Sequence, residues 1–449
     1  MKKIIKISII PFLLLIYLSG CKKLIEVNTP QNQLTTKVVF SDSTSAVSAL
    51  VNIYALFSNT IDGTYNPNIA LYSDELNFSN STVQSLEFLH STISTTNSTD
   101  LNIWKNYYFV IYSCNDLINQ LSTNSQISPS MVKQLSSEAK FLRAYAYFYL
   151  TNLYGATPLI LVTDINVSAV APRSDTLIVY NQIIKDLLDA QSGLSVNYTG
   201  DGKVRANQLA ATALLARIYL FQRNWANAET AASNVINSGL YSLDTPENVF
   251  LANSNESILQ FQTQSGFVAT SPTFIPISGK PQYPLTNNLL AAFEPGDLRL
   301  INWTKSNLVS NITYYYPYKY KNRTANPTAP ECLMALRLGE QFLIRAEARV
   351  MQNNLSGAQA DLNTIRNRAG LPNTTSNTQS TIENSILHER QVELFTEWGH
   401  RFFDLKRTGQ ANVVLGAYKS TWKPNRSLLF PIPQNDIIHD PNLKQNLGY

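Results

Sequence analysis

The stretch Ser136–Ile160, SSEAKFLRAYAYFYLTNLYGATPLI, decides the fold. At 3.6 residues per turn, Phe141, Tyr145, Phe148 and Asn152 share one face, and Leu142, Ala146, Tyr149 and Leu153 share the next. Apolar and aromatic groups therefore run nearly all the way round, the pattern of a helix enclosed by other helices. Ala139, Ala144 and Ala146 leave low spots where neighbouring backbones can approach. Gly155 stops the helix and Pro158 prevents it resuming. Glu138, Lys140 and Arg143 lie inside an apolar run too short to cross a bilayer, so this is a packing helix and not a membrane span.

The neighbouring segments supply its partners. Ser43 to Phe57 and Leu101 to Leu121 read as one helix pair, with the Asn-, Ser- and Thr-rich stretch Ser58 to Asp100 expected as surface loops between them. Met131 to Tyr154 pairs with Leu177 to Ser192, and Ala206 to Arg223 with Trp225 to Ser238, which Gly239 ends. A shift of 130 residues superposes Ala216, Asn224, Ala228 and Val235 on Ala346, Asn354, Ala358 and Ile365. Both copies read helix, short polar turn, helix, with small alanines where two helices would touch. Such hairpins stack because one alone cannot bury both apolar faces. The expected fold is mainly α: tetratricopeptide-like helical hairpins forming a scaffold, with a loop-rich insertion containing short strands.

Residues 241–332 are that insertion. Nine prolines interrupt helices there, and runs such as Ser257-Ile-Leu-Gln-Phe-Gln have the length of strands. Ile312-Thr-Tyr-Tyr-Tyr-Pro-Tyr-Lys-Tyr-Lys follows, with five tyrosines in seven positions. Aromatic-rich loops on a rigid scaffold are where binding usually resides. The expected organisation is a signal peptide over 1–20, a lipid-anchored tether over 21–42, a helical-hairpin region over 43–240, the insertion over 241–332 as the ligand-binding part, and a C-terminal hairpin and tail over 333–449.

The first residues are processing signal rather than fold. Lys2, Lys3 and Lys6 form a basic start, Ile4 to Leu18 an apolar segment, and Leu18-Ser19-Gly20-Cys21 resembles a bacterial lipobox. On that reading Cys21 is the acylated mature N-terminus, and chains contributing roughly 0.8 kcal/mol per methylene hold the protein at a membrane. Removing residues 1–20 takes away three lysines and leaves 32 basic against 31 acidic residues. A balance of +1 with no basic stripe implies no nucleic-acid partner. Cys114 and Cys332 show no CxxC spacing, and a buried free thiol is the expectation for Cys114.

The candidate chemistry is aromatic rather than catalytic. Glu389, Glu393 and Glu397 recur at helical spacing among Arg390 and Arg401, with Asp404 and Arg407 following, a pattern read as a structural ion-pair network. The four histidines form no HExxH or i, i+4 pair, and no nucleotide or EF-hand motif is present, so no cofactor, metal site or enzymatic activity is expected. Sugars present C–H faces that stack on Trp and Tyr rings. Exposed candidates for a platform are Tyr65, Tyr72, Trp303, Tyr314, Tyr315, Tyr316, Tyr318 and Trp422, with Asp74 and Glu75 as polar partners. Trp104 and Trp398, on helices among apolar neighbours, are expected in the core.

Several segments resemble the SusD/RagB family. They are Glu138-Ala-Lys-Phe-Leu-Arg-Ala-Tyr-Ala-Tyr-Phe-Tyr-Leu with Leu153-Tyr-Gly-Ala-Thr-Pro-Leu-Ile, Glu294-Pro-Gly-Asp-Leu-Arg, Pro317-Tyr-Lys-Tyr, Leu336-Arg-Leu-Gly-Glu-Gln-Phe-Leu-Ile-Arg-Ala-Glu-Ala, and the run from His388 to Gly409. The chain ends on Leu429-Phe-Pro-Ile-Pro and Asn442-Leu-Lys-Gln-Asn-Leu-Gly-Tyr, which complete the pattern. The resemblance implies a nutrient-binding lipoprotein of the outer membrane facing the cell exterior. Its ligand would be an oligosaccharide and its partner a TonB-dependent, SusC-like transporter that it covers as a lid. Leu71-Tyr-Ser-Asp-Glu-Leu resembles a family segment that approaches the binding face, which singles out Tyr72 and Asp74. The other classes left open are a lid for peptides or another nutrient, and a surface hydrolase.

Overall fold

The computed structural model describes residues 42–263 and 266–449. Cys21 and the tether expected over 21–42 therefore lie outside the described residues, apart from Asp42. The Asp42 carboxylate accepts from the Ser45 N–H and opens helix α1 (Ser43–Thr60). Then come α2 (Asn66–Tyr72), α3 (Val83–Leu89), α4 (Ser98–Ser122), α5 (Pro129–Tyr154), α6 (Thr176–Gly193), α7 (Gln208–Phe221) and α8 (Trp225–Ile236). After a loop-rich region with two short helices, Thr270–Phe274 and Asn287–Ala292, comes α9 (Leu298–Trp303). The C-terminal part carries α10 (Leu338–Met351), α11 (Leu355–Arg368), α12 (Gln379–Glu393), α13 (His400–Arg407) and α14 (Ala411–Tyr418). Three two-stranded antiparallel pairs complete the fold: β1 (Thr157–Pro158) with β2 (Arg173–Ser174), β3 (Ser257–Phe261) with β6 (Leu333–Arg337), and β4 (Thr304–Val309) with β5 (Ile312–Pro317).

Helix α5 is the axis of the molecule. From Phe141 to Thr151 every residue is buried, as an all-round apolar surface requires, with α1, α4, α6 and α7 packed about it. Gly155 ends it at φ +75°, a conformation side chains resist, and a Cβ there would meet the Leu429 side chain at 3.0 Å.

The repeat is reproduced in backbone detail. Asn224 caps α8 by accepting from the Asn227 N–H at φ −85°, ψ 74°, and Asn354 caps α11 by accepting from the Gly357 N–H at φ −87°, ψ 73°. The preceding residues, Arg223 and Asn353, both stand at positive φ. Ala216, Ala228, Ala346 and Ala358 are fully buried at the two hairpin seams. The hairpins then stack, with Ile344 and Ala348 of α10 packed among Ala228, Ala231 and Ala232 of α8. Each hairpin thus covers the face the other leaves open.

One expectation fails. The stretch from Ser58 to Asp100 is not wholly surface loop, because all seven residues of α2 are buried. Its polar groups are satisfied locally and at long range: Asn68 Nδ2 donates to Thr64 O, and Asn66 Oδ1 accepts from the Trp398 N–H. An amide-rich composition looks solvated only until its partners arrive from distant sequence. Among the described residues, no helix is long and apolar enough to cross a membrane.

Candidate functional site

The segment after α2 turns into an extended stretch. Leu76 forms an antiparallel bridge with Leu285, and the Asn77 and Ser79 N–H groups donate to Pro284 O and Gln282 O. Leu285 N–H donates in turn to Tyr315 O on β5, which pairs with β4 in register Tyr314–Asn307 and Tyr316–Lys305. Ser310 and Asn311, both at positive φ, make the tight turn of the β4–β5 hairpin. A continuous backbone ladder therefore joins the Asp74–Leu76 corner to the tyrosine run, two regions remote in sequence.

Side chains alternate along β5. Tyr314, Tyr315 and Tyr318 are half-buried, while Tyr316 is buried at the floor of a shallow cleft of about 540 Å³. Ile277 and Leu308 stand exposed at that cleft. Lysines lie over two of the rings: Lys280 Nζ is 4.7 Å from the Tyr314 centroid, and Lys305 Nζ is 5.1 Å from that of Tyr318. The Tyr316 and Tyr318 rings meet edge-on at 6.5 Å.

The other platform candidates are not exposed. Trp303 is 0% exposed; its indole donates to Pro246 O, and Lys319 and Arg368 lie against its ring at 4.6 and 5.4 Å. Tyr72 is buried against Phe402 and Phe430, with its hydroxyl on Ser427 O. Tyr65 and Trp422 are likewise buried. Asp74 is held by Arg401 through two bonds of 2.7 and 2.8 Å, and neighbouring Glu75 accepts from the Thr396 N–H. Burial pushes the Glu75 carboxyl up to about 8, against the Thr396 N–H. At 1% exposure it offers no substrate access. The expectation that these five side chains, Tyr316 and Asp74 face solvent is thereby corrected. Each is consumed by packing or by an ion pair whose partner lies far away in sequence. Trp104 and Trp398 are in the core, as expected.

Glu389 and Glu393 of α12, with Glu397 just beyond it, do form an ion-pair network, but not with the arginines nearest them in sequence. Glu393 is bound by Arg299, Arg337 and Arg368, Glu389 by Arg299, and Glu397 by Arg337 and Lys319. Arg390 turns instead to Asp404, and Arg401 to Asp74. Burial alone would push the Glu393 carboxyl up, yet its three guanidiniums hold it well below the usual carboxylate range. Burial lowers the Lys319 ammonium to about 8 in spite of Glu397. All these groups are buried, so the network is a clamp between the insertion and the C-terminal helices rather than a reactive site. Sequence reading missed Arg299, Arg337 and Lys319 as members, and Glu256, which pairs with Arg337. The available signal for the first three was that each stands in a segment that resembles the family.

Comparison with known proteins settles the lineage. Residues 25–220 match a family model described as starch-binding associating with outer membrane, and residues 299–449 match the SusD family model. The chain belongs to the SusD/RagB family. A SusD-like protein of Formosa agariphila is 23% identical over 98% of this chain and 99% of its own. The starch-binding protein SusD of Bacteroides thetaiotaomicron is 36% identical over 25% of this chain and 21% of its own. A solved laminarin-binding SusD-like protein is 25% identical, covers 90% of this chain and 99% of its own, and superposes with a TM-score of 0.78. The chain shares its mainly helical, tetratricopeptide-like architecture with that solved structure.

Proposed function

We propose that this protein binds an oligosaccharide on the β4–β5 hairpin and passes it to a TonB-dependent transporter, without transforming it. The supporting observation is the ladder that carries the half-exposed rings of Tyr314 and Tyr318 beside an open cleft, on a scaffold shared with a laminarin-binding relative. Pyranose C–H faces stack on such rings, and the exposed Ser306 and half-buried Asn307 of β4 supply hydroxyl partners. Lys280 and Lys305 give up their places over the rings to the arriving sugar. Acid–base chemistry has no foothold in Glu389, Glu393 and Glu397, since each is buried and paired with a guanidinium or ammonium. Cys21 carries the lipid anchor that displays the protein at the outer membrane, facing the exterior.

Calorimetry against laminarin and starch oligosaccharides and a set of peptides tests the reading. Glycan binding that weakens in both Tyr314→Ala and Tyr318→Ala supports it. Binding confined to peptides, or indifferent to both rings, overturns it. Cys21→Ala should move the protein from the membrane to the soluble fraction and abolish labelling by palmitate analogues.

A further inference from the structure

A cavity of about 500 Å³, lined by no hairpin residue, opens between the start of α4, the β1 segment and the C-terminal tail. Its size falls in the range of small-ligand sites. Trp104 and Tyr108 wall one side, with ring centroids 4.8 Å apart at 56°, and Ile160 and Leu443 complete an apolar lining. The Tyr108 hydroxyl is tied to Pro158 O, which fixes that ring. The Asp436 carboxylate lines the space. Burial pushes its pKa up, while His439 and a hydrogen bond from Trp104 hold it down.

Half-buried Asp436 lacks the basic partner that five buried carboxylates elsewhere in the fold have. Asp186 has Arg143, Glu138 has Arg205, Glu340 has Arg217, Glu347 has Arg407, and Asp361 has Arg345. Among the described residues no Lys or Arg nitrogen lies within 4.0 Å of Asp436. Lys105 reaches the cavity from an exposed position but makes no ion pair there, and a second carboxylate, Asp440, lines the same wall. Two carboxylates and one exposed lysine therefore share this cavity, beside aromatic rings and an apolar lining. Such a site lacks only a positive charge on a carbon frame: the cation pairs with Asp436 and lies against the rings, while the frame fills the apolar part.

We infer that this cavity is a second binding site, for a ligand bearing a primary ammonium group. An amino sugar and the lysine side chain of a peptide share that chemistry. The test is calorimetry on the full mature chain with a glucosamine trimer, trilysine, and the fully N-acetylated form of each. At least one amine should bind, and its acetylated counterpart should bind at least about tenfold more weakly. Asp436→Asn should cost about as much, and Lys105→Ala should tighten binding by removing the competing cation. Binding of the sugar amine alone assigns the site to amino sugars, and binding of trilysine alone to peptides. Equal affinity for acetylated forms, no binding by either amine, or indifference to Asp436→Asn would overturn the inference. The amine comparison on the unaltered chain decides even if the variant folds poorly. Glucan binding at the hairpin is read separately through Tyr314→Ala, so either site can fail without the other.

Discussion

Trp303 and Tyr314 stand on either side of one strand, β4, in the same proline-broken, aromatic-rich stretch, yet they have opposite fates. Trp303 is sealed under Lys319, Arg337 and Arg368 and forms the aromatic floor of the ion-pair clamp. Tyr314 keeps part of its ring in solvent with a single lysine over it. The difference comes from what reaches each ring from elsewhere. Arg337 and Arg368 flank α10 and end α11, and they close over Trp303 because Glu393 draws both guanidiniums inward. No such anchor lies under the hairpin, so its rings stay available. Aromatic density marked the region, and the distant charges sorted its members.

The sharpest way to break this contrast is to remove the anchor. Glu393→Ala leaves three buried guanidiniums short of a partner and should destabilise by about 3–5 kcal/mol in denaturant unfolding. Glycan affinity of the folded fraction should hold. Lost affinity at normal stability would mean that clamp and hairpin are one functional unit.

Glu75, at the base of the ladder, sharpens the comparison through pH. Its carboxyl is raised from 4.5 to about 8 in the fold, so the folded state binds the extra proton between those values. Its contribution is fully present below about pH 4.5 and is lost as pH rises through 8, at about 1.4 kcal/mol per pH unit. Glu75→Gln should therefore be more stable than the parent at pH 8, with the gap closing by pH 5. Denaturant midpoints at the two pH values check it. A gap that does not change with pH would show that Glu75 titrates alike in both states.

A smaller effect tests whether the scaffold is a true repeat. Asn224→Ala and Asn354→Ala each remove one N-cap of matching geometry and should each cost about 1 kcal/mol. Unequal costs measured by thermal unfolding would mean that the surroundings, not the motif, set the stability of each hairpin.

The smallest stability change belongs to the hairpin itself. Tyr314→Ala and Tyr318→Ala should leave the thermal midpoint almost unmoved while weakening glycan binding several-fold, the scale of roughly 0.5–1.5 kcal/mol per ring contact. Trp303→Ala is the counterpart. Loss of that buried ring should cost about 3–5 kcal/mol of stability. If instead it abolished binding at unchanged stability, the assignment of Trp303 to the core would fail.

Helix existence and hairpin order were legible in the chain because both rest on local periodicity. Phe141 to Leu153 is apolar all round, and the Ala–Asn–Ala spacing recurs at a fixed shift. The identity of the α12 carboxylates as ion-pair formers was legible too, since acids and bases alternate there. Their partners were not. Glu393 reaches Arg299, Arg337 and Arg368 rather than its neighbours Arg390 and Arg401, because chain reversals bring those groups closer than helical spacing does. Exposure of a tyrosine or tryptophan was equally undecidable from sequence. An isolated ring in a Pro- and Asn-rich stretch has the same composition around it whether or not a distant helix covers it. Tyr72 is covered by Phe402 and Phe430, and Tyr314 is left partly open. The sequence by itself determined the long helices, their pairing into hairpins and the family, all properties of short-range pattern. Only the tertiary structure decided which aromatic rings remain at the surface and that Asp436 lines a cavity without a basic partner, because burial and charge pairing are set by residues far apart in the chain.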